Sequence, residues 1–199
     1  MTHDTPPDLL VLHAVRTTGY ASTLRLADLL GLPAAVVEEH LEDARARGWL
    51  TEAAFADDRG WTLTEAGKAH GEQRLAGEID AAGARADFEQ IYREFLPANA
   101  IVGATCTAWQ LTELGVGEVP ADADAIVAAL HEPARLLADL EQRLTAHLTR
   151  FSGYHRRFST ALAAAATNPA WITGTDRDSA HRVWFELHED LIATLGIER

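Results

Sequence analysis

Along residues 8–18 the chain reads DLLVLHAVRTT, apolar side chains recurring three and four positions apart, the mark of an amphipathic helix. Gly19 closes this segment. TLRLADLLG follows from Thr23 and stops at Gly31, and Pro33 opens PAAVVEEHLEDARARG, which Gly48 terminates. The pattern then shortens. WLTEAAF and GWTL read as two strands around the tight turn ADDRG, after which Thr64 caps a further helix with Glu65 favourably placed in its first turn. These signals predict helices over residues 8–18, 23–31, 33–47 and 64–95 and a hairpin over 49–63.

From residue 77 onward everything reads as helix or loop. One segment runs to Pro97, ANAIVGATCTAWQLTEL follows it, and the loop GVGEVPA breaks the pattern before Asp122. Leu130, Leu137, Leu140, Leu144 and Leu148 keep a helical stripe along the next segment, which Pro133 is expected to kink or split. GYHRRFSTALAAAATNP is another helix, and SAHRVWFELHEDLIATLG closes the pattern with Ser179 or Asp178 at its start and Gly196 after its end. No βαβ rhythm, internal repeat or low-complexity linker intervenes. The expected fold is therefore mainly α, an N-terminal helical part with a small β-hairpin over 1–76 and a C-terminal α-helical bundle over 77–199.

The order helix, helix, helix, hairpin, helix, carried by LADLLGLPAAVVEEHLEDARARGWL and GWTLTEAG, resembles the DNA-binding domain of MarR-type and related winged-helix transcriptional regulators. The second stretch matches the family's frequent Leu-Thr-x-x-Gly. The resemblance covers about a third of the chain, residues 8–76. It implies a winged helix-turn-helix whose third helix reads double-stranded DNA, whose hairpin is the wing, and which works as a homodimer in a bacterial cytoplasm.

Charge complicates that implication. The 199 residues carry a formal net charge of −13, with seven basic against twelve acidic residues in 1–76 and ten against eighteen in the remainder. Neither part offers the basic field that draws proteins onto phosphates. With Val37, Leu41 and Ala44 facing the core, the third helix turns outward Ala34, Ala35, Val36, Glu38, Glu39, His40, Glu42 and Asp43, of which four are acidic. The expected DNA contacts are Arg25, Ala34, Ala35, Val36, Glu39, His40 and, from the wing, Arg59 flanked by Asp57 and Asp58. Arg45 and Arg47 suit the helix dipole. The alternative is a winged helix that senses or contacts protein and does not read DNA.

The second half raises a different chemistry. In ANAIVGATCTAWQLTEL, Asn99, Gly103, Cys106 and Gln110 fall on or near one face with Trp109 beside them. Polar side chains on a packing face are costly unless satisfied, either by a small-molecule effector or by a buried network between helices. His181 and His188 lie seven apart on the last helix with Trp184 between them, and read as core histidines or as holders of an anion or metal. The effector site is expected among Tyr92, Asn99, Cys106, Trp109, Gln110, Trp184 and His188. No spacing sets a metal site, the two-glycine loop GVGE lacks a preceding strand for a phosphate loop, and no nucleophile–base arrangement is legible. Neither an enzyme nor a cofactor is expected. A lone cysteine excludes an intramolecular disulfide, the first residues lack the regions of a signal peptide, and no apolar run suffices for a membrane span, so the expected setting is cytoplasmic.

Overall fold

A computed structural model describes residues 2–55, 58–116 and 120–197. The expected tight turn at Asp57, the side chains of Asp57 and Asp58, and the centre of the GVGE loop lie outside the described residues. The fold is mainly helical with a small antiparallel sheet of two strands. Helix α1 spans Pro7–Thr18, α2 Thr23–Leu30 and α3 Ala34–Ala46; strands β1, Leu50–Phe55, and β2, Asp58–Leu63, follow, and α4 spans Glu65–Ala81. After these come α5, Arg85–Glu113; α6, Ala123–Thr145; a short 3-10 turn; α7, Tyr154–Ala165; α8, Ala170–Thr173; and α9, Ala180–Leu195.

Local chemistry accounts for the boundaries. Ser22 caps α2, which opens at Thr23 as the sequence predicts, its hydroxyl accepting from the Arg25 amide at 3.3 Å. Thr64 caps α4 as its sequence position predicts, accepting from the Gly67 amide at 3.0 Å while donating to the Gly48 carbonyl at 2.7 Å. In the hairpin Leu50 pairs with Leu63 and Glu52 with Trp61, and a bridge between Ala21 and Trp61 ties the α1–α2 connection to β2.

Three expectations about helix ends are corrected. The helix expected over 64–95 is broken: Gly83 adopts φ +63°, and the amides of Gly83 and Ala84 bond back to Asp80 and Ile79, closing α4 in the Schellman manner. Pro97 does not end its helix but sits inside α5 on its exposed side. Pro133 does not split α6. It is buried within that continuous helix.

The chain divides into two compact units, Ala86–His188 with Thr2, and His3–Arg85 together with the chain from Glu189 onward. The division therefore falls at the start of α5 and again within α9, not at residue 76. In the N-terminal unit Val11, Leu12, Val15, Leu26, Val37, Leu41, Leu50 and Trp61 form the core. Ala193, near the end of the chain, packs with Leu9 and Leu75. There His13 Nε2 also meets Asp190 Oδ1 at 2.8 Å, both side chains buried. In the unit of 86–188, α5 contributes Phe88, Ile91, Phe95, Val102 and Cys106 to the core, α6 its predicted leucine stripe, and α7 Phe158 and Leu162. Among the described residues no helix is long and apolar enough to cross a membrane.

Candidate functional site

The surface around α3 is built by burial of Val37, Leu41 and Ala44, which leaves Ala35, Val36, Glu38, Glu39 and Asp43 exposed and Ala34 and His40 half-buried. Its acidic character is anchored. Glu38 accepts from the Thr23 hydroxyl at 2.6 Å, and Thr23 in turn accepts from Trp61 Nε1 at 3.0 Å, so β2, α2 and α3 share one polar chain. The two expected cations are matched by carboxylates, Arg25 by Asp28 at 3.6 Å and Arg59, 81% exposed on β2, by Glu52 at 3.6 Å, and Arg45 is likewise matched by Glu42 at 2.5 Å. Such exposed pairs are weak and screened by salt, so they are easily exchanged for another anion.

One cation that the sequence assigns only to the helix dipole has a further role. The Arg47 guanidinium lies 5.0 Å from the centroid of Trp49, whose ring stacks on His70 at 3.7 Å. Burial, with Arg74 adding like charge, holds the His70 imidazole below its ordinary pKa. Arg47 is thus carried on an aromatic stack at the end of α3, and among the described residues it has no carboxylate partner. The sequence signal was Arg-Gly-Trp across the α3–β1 turn, which places cation and indole side by side.

The polar residues of the second half separate into two groups. Trp184 is 2% exposed, donates from Nε1 to Asn99 Oδ1 at 3.0 Å, and stacks on Phe95 at 5.0 Å. Tyr92 and His188 meet at 3.4 Å through the phenol oxygen and Nε2. Tyr92, Asn99, Trp184 and His188 are therefore brought together around Phe95, and the cost that pointed to a ligand is met at Asn99 and Trp184 by their mutual bond. Cys106 is buried, and burial pushes its thiol up to about 12, which makes it a core residue rather than a nucleophile. Trp109 and Gln110, ten or more residues from Asn99, lie about 15 Å farther along the helix axis and are partly exposed. Burial also lowers the His181 pKa.

A cleft of about 640 Å³ opens instead in the N-terminal unit. Arg16 of α1, Lys68 and Glu72 of α4, and Ile192 and Ile197 at the end of the chain line it, with Arg16 donating to Glu72 at 2.7 Å. Its volume falls in the range of small-molecule sites, and its walls are largely polar, with Arg16 and Lys68 standing against Glu65, Glu72 and Glu189. None of the expected effector residues lines it. No cluster of three metal-ligating side chains occurs among the described residues. No family model, curated protein or solved structure matches the chain.

Proposed function

We propose that the chain is a ligand-responsive winged-helix transcriptional regulator that binds double-stranded DNA as a homodimer. The observation that carries this reading is the succession α1, a bridge to β2, α2, α3 and a hairpin, with α3 packed by Val37, Leu41 and Ala44 and its other side open to solvent. That is the arrangement in which a helix enters a major groove while a hairpin lies along the backbone. Ala34, Ala35, Val36, Glu39 and His40 are then the groove-facing positions, and Arg25, Arg47 and Arg59 the phosphate contacts. In this reading the effector occupies the cleft lined by Arg16, Lys68, Glu72 and Ile192, whose mixed charges suit a small polar molecule.

The pairing of Arg25, Arg45 and Arg59 with carboxylates favours a second reading, a winged helix that contacts protein and not DNA. Replacing both Glu38 and Glu39 with Gln separates the two. Near phosphates, the loss of two negative charges raises non-specific DNA affinity about tenfold or more and changes its salt dependence. If affinity in a gel-shift titration does not move, α3 does not approach DNA and the second reading stands.

A further inference from the structure

Lys68 is the one lysine of the chain, against sixteen arginines. It stands on α4 with Glu65 three residues before it and Glu72 four residues after, the two spacings at which a helix ordinarily pairs a lysine with an acid. It takes neither. Glu72 accepts from Arg16 Nη1 at 2.7 Å instead, and Lys68 is exposed with no carboxylate or hydrogen-bond partner among the described residues. Glu65 is likewise exposed and unpaired among them. Both line the cleft of about 640 Å³ in the N-terminal unit, so α4 presents an open cation and an open carboxylate to it, one helical turn apart.

The balance of charge around this opening selects the ligand. Arg16, its side chain 11% exposed, and Glu72 neutralise one another, which leaves Lys68 as the cation of the lining and Glu65 and Glu189 as its carboxylates. A simple anion is drawn to Lys68 and repelled by the carboxylates; a simple cation meets the reverse. A molecule carrying both signs a few ångströms apart is attracted at both ends. The α-ammonium and α-carboxylate of an amino acid are such a pair, and side chains one helical turn apart, about 5–6 Å between Cβ atoms, can bracket it. Leu63, Ile192 and Ile197 add an apolar wall to the same cleft. Ile192 is buried and Leu63 packs on the core of the unit, so this wall is held in place.

We propose that the cleft binds an apolar α-amino acid as its zwitterion, with the carboxylate at Lys68, the ammonium at Glu65 and the side chain against Leu63, Ile192 and Ile197. This names the effector class of the proposed function and rests on that reading's placement of the effector. A lysine fits the role, since its ammonium is a compact point charge on a flexible stem that can follow a small carboxylate into the opening. The cleft is larger than one such molecule and leaves room for bridging water. Lys68 and Glu65 are both exposed, and exposed charge pairs contribute little each, so a dissociation constant of about 1 mM is expected.

A single lysine makes the site directly readable. In the full chain, acylation of Lys68 by an N-hydroxysuccinimide ester is followed by peptide mass spectrometry, with the α-amine of the chain as internal reference for reagent that the ligand consumes. L-leucine at about ten times its dissociation constant, about 10 mM, should slow modification of Lys68 about tenfold. At the same concentration 4-methylpentanoate, which lacks the ammonium, and 3-methylbutylamine, which lacks the carboxylate, should each slow it by less than about twofold. Glu65→Gln should keep the wild-type melting temperature, the position being exposed, and lose most of the protection by leucine. Equal protection by leucine and 4-methylpentanoate, or full protection in Glu65→Gln, overturns the zwitterion site while leaving the cleft as the place of the effector. Protection by none of the three overturns both. Protection by leucine alone that leaves DNA affinity unchanged upholds the amino-acid site and overturns the ligand-responsive reading instead.

Discussion

Gly67 makes clear why the Leu-Thr-x-x-Gly stretch has the residues it has. A Cβ at this position would sit 2.1 Å from the Trp49 carbonyl oxygen, and that carbonyl already accepts from the Thr64 amide at 3.0 Å. Backbone cannot yield there as a side-chain tip can. Gly67→Ala is therefore expected to destabilise the N-terminal unit by about 1–3 kcal/mol, despite the better helix propensity of alanine. Chemical denaturation would measure this, and a neutral or stabilising result would contradict the packing. Histidine at 181 supplies a pH dependence. Burial depresses its folded-state pKa below the ordinary 6.5, so the folded state prefers the neutral ring. Its contribution is present above 6.5 and is lost as pH falls below that value, because the unfolded chain takes up the proton first. Replacing His181 with Gln should flatten the decline of melting temperature on acidification from neutrality. An unchanged slope would show that other groups dominate.

At the scale of elements, the periodicity of apolar residues located α1, α2, α3 and the hairpin to within one or two residues, because each is bounded by a glycine, proline or hydroxyl cap. It failed where local and tertiary signals compete. Pro97 and Pro133 read as breaks, yet packing of Phe95, Ala98 and Val102 on one side and of Leu130, Ala134 and Leu137 on the other carries each helix through. The polar face of α5 was legible as something needing partners; which partners was not, since Asn99 and Trp184 are 85 residues apart in sequence. Their bond is testable. Asn99→Ala leaves a buried indole N–H without its acceptor and should cost about 1–3 kcal/mol, whereas the same change in a Trp184→Phe background should cost distinctly less. Equal costs in both backgrounds would mean that the two side chains do not act as a pair.

At the scale of the molecule, the return of the chain end to the N-terminal unit escaped sequence reading entirely. Ile192 and Ile197 look like the ordinary apolar positions of a last helix, and His13 like one polar residue in an apolar run; only the fold joins His13 to Asp190 and sets the isoleucines beside Arg16 and Lys68. The cleft formed there was illegible for the same reason. What sequence did convey was the tension between a DNA-reader's order of elements and a net charge of −13. The structure sharpens it by pairing Arg25, Arg45 and Arg59 with acids. Fluorescence anisotropy of the wild-type chain on DNA from its own upstream region, against a scrambled fragment of equal length, tests the central claim most directly. The account predicts tighter binding to the upstream fragment by at least about a hundredfold at low salt, with affinity falling steeply as salt rises. Equal binding to both fragments, or none to either, would contradict it.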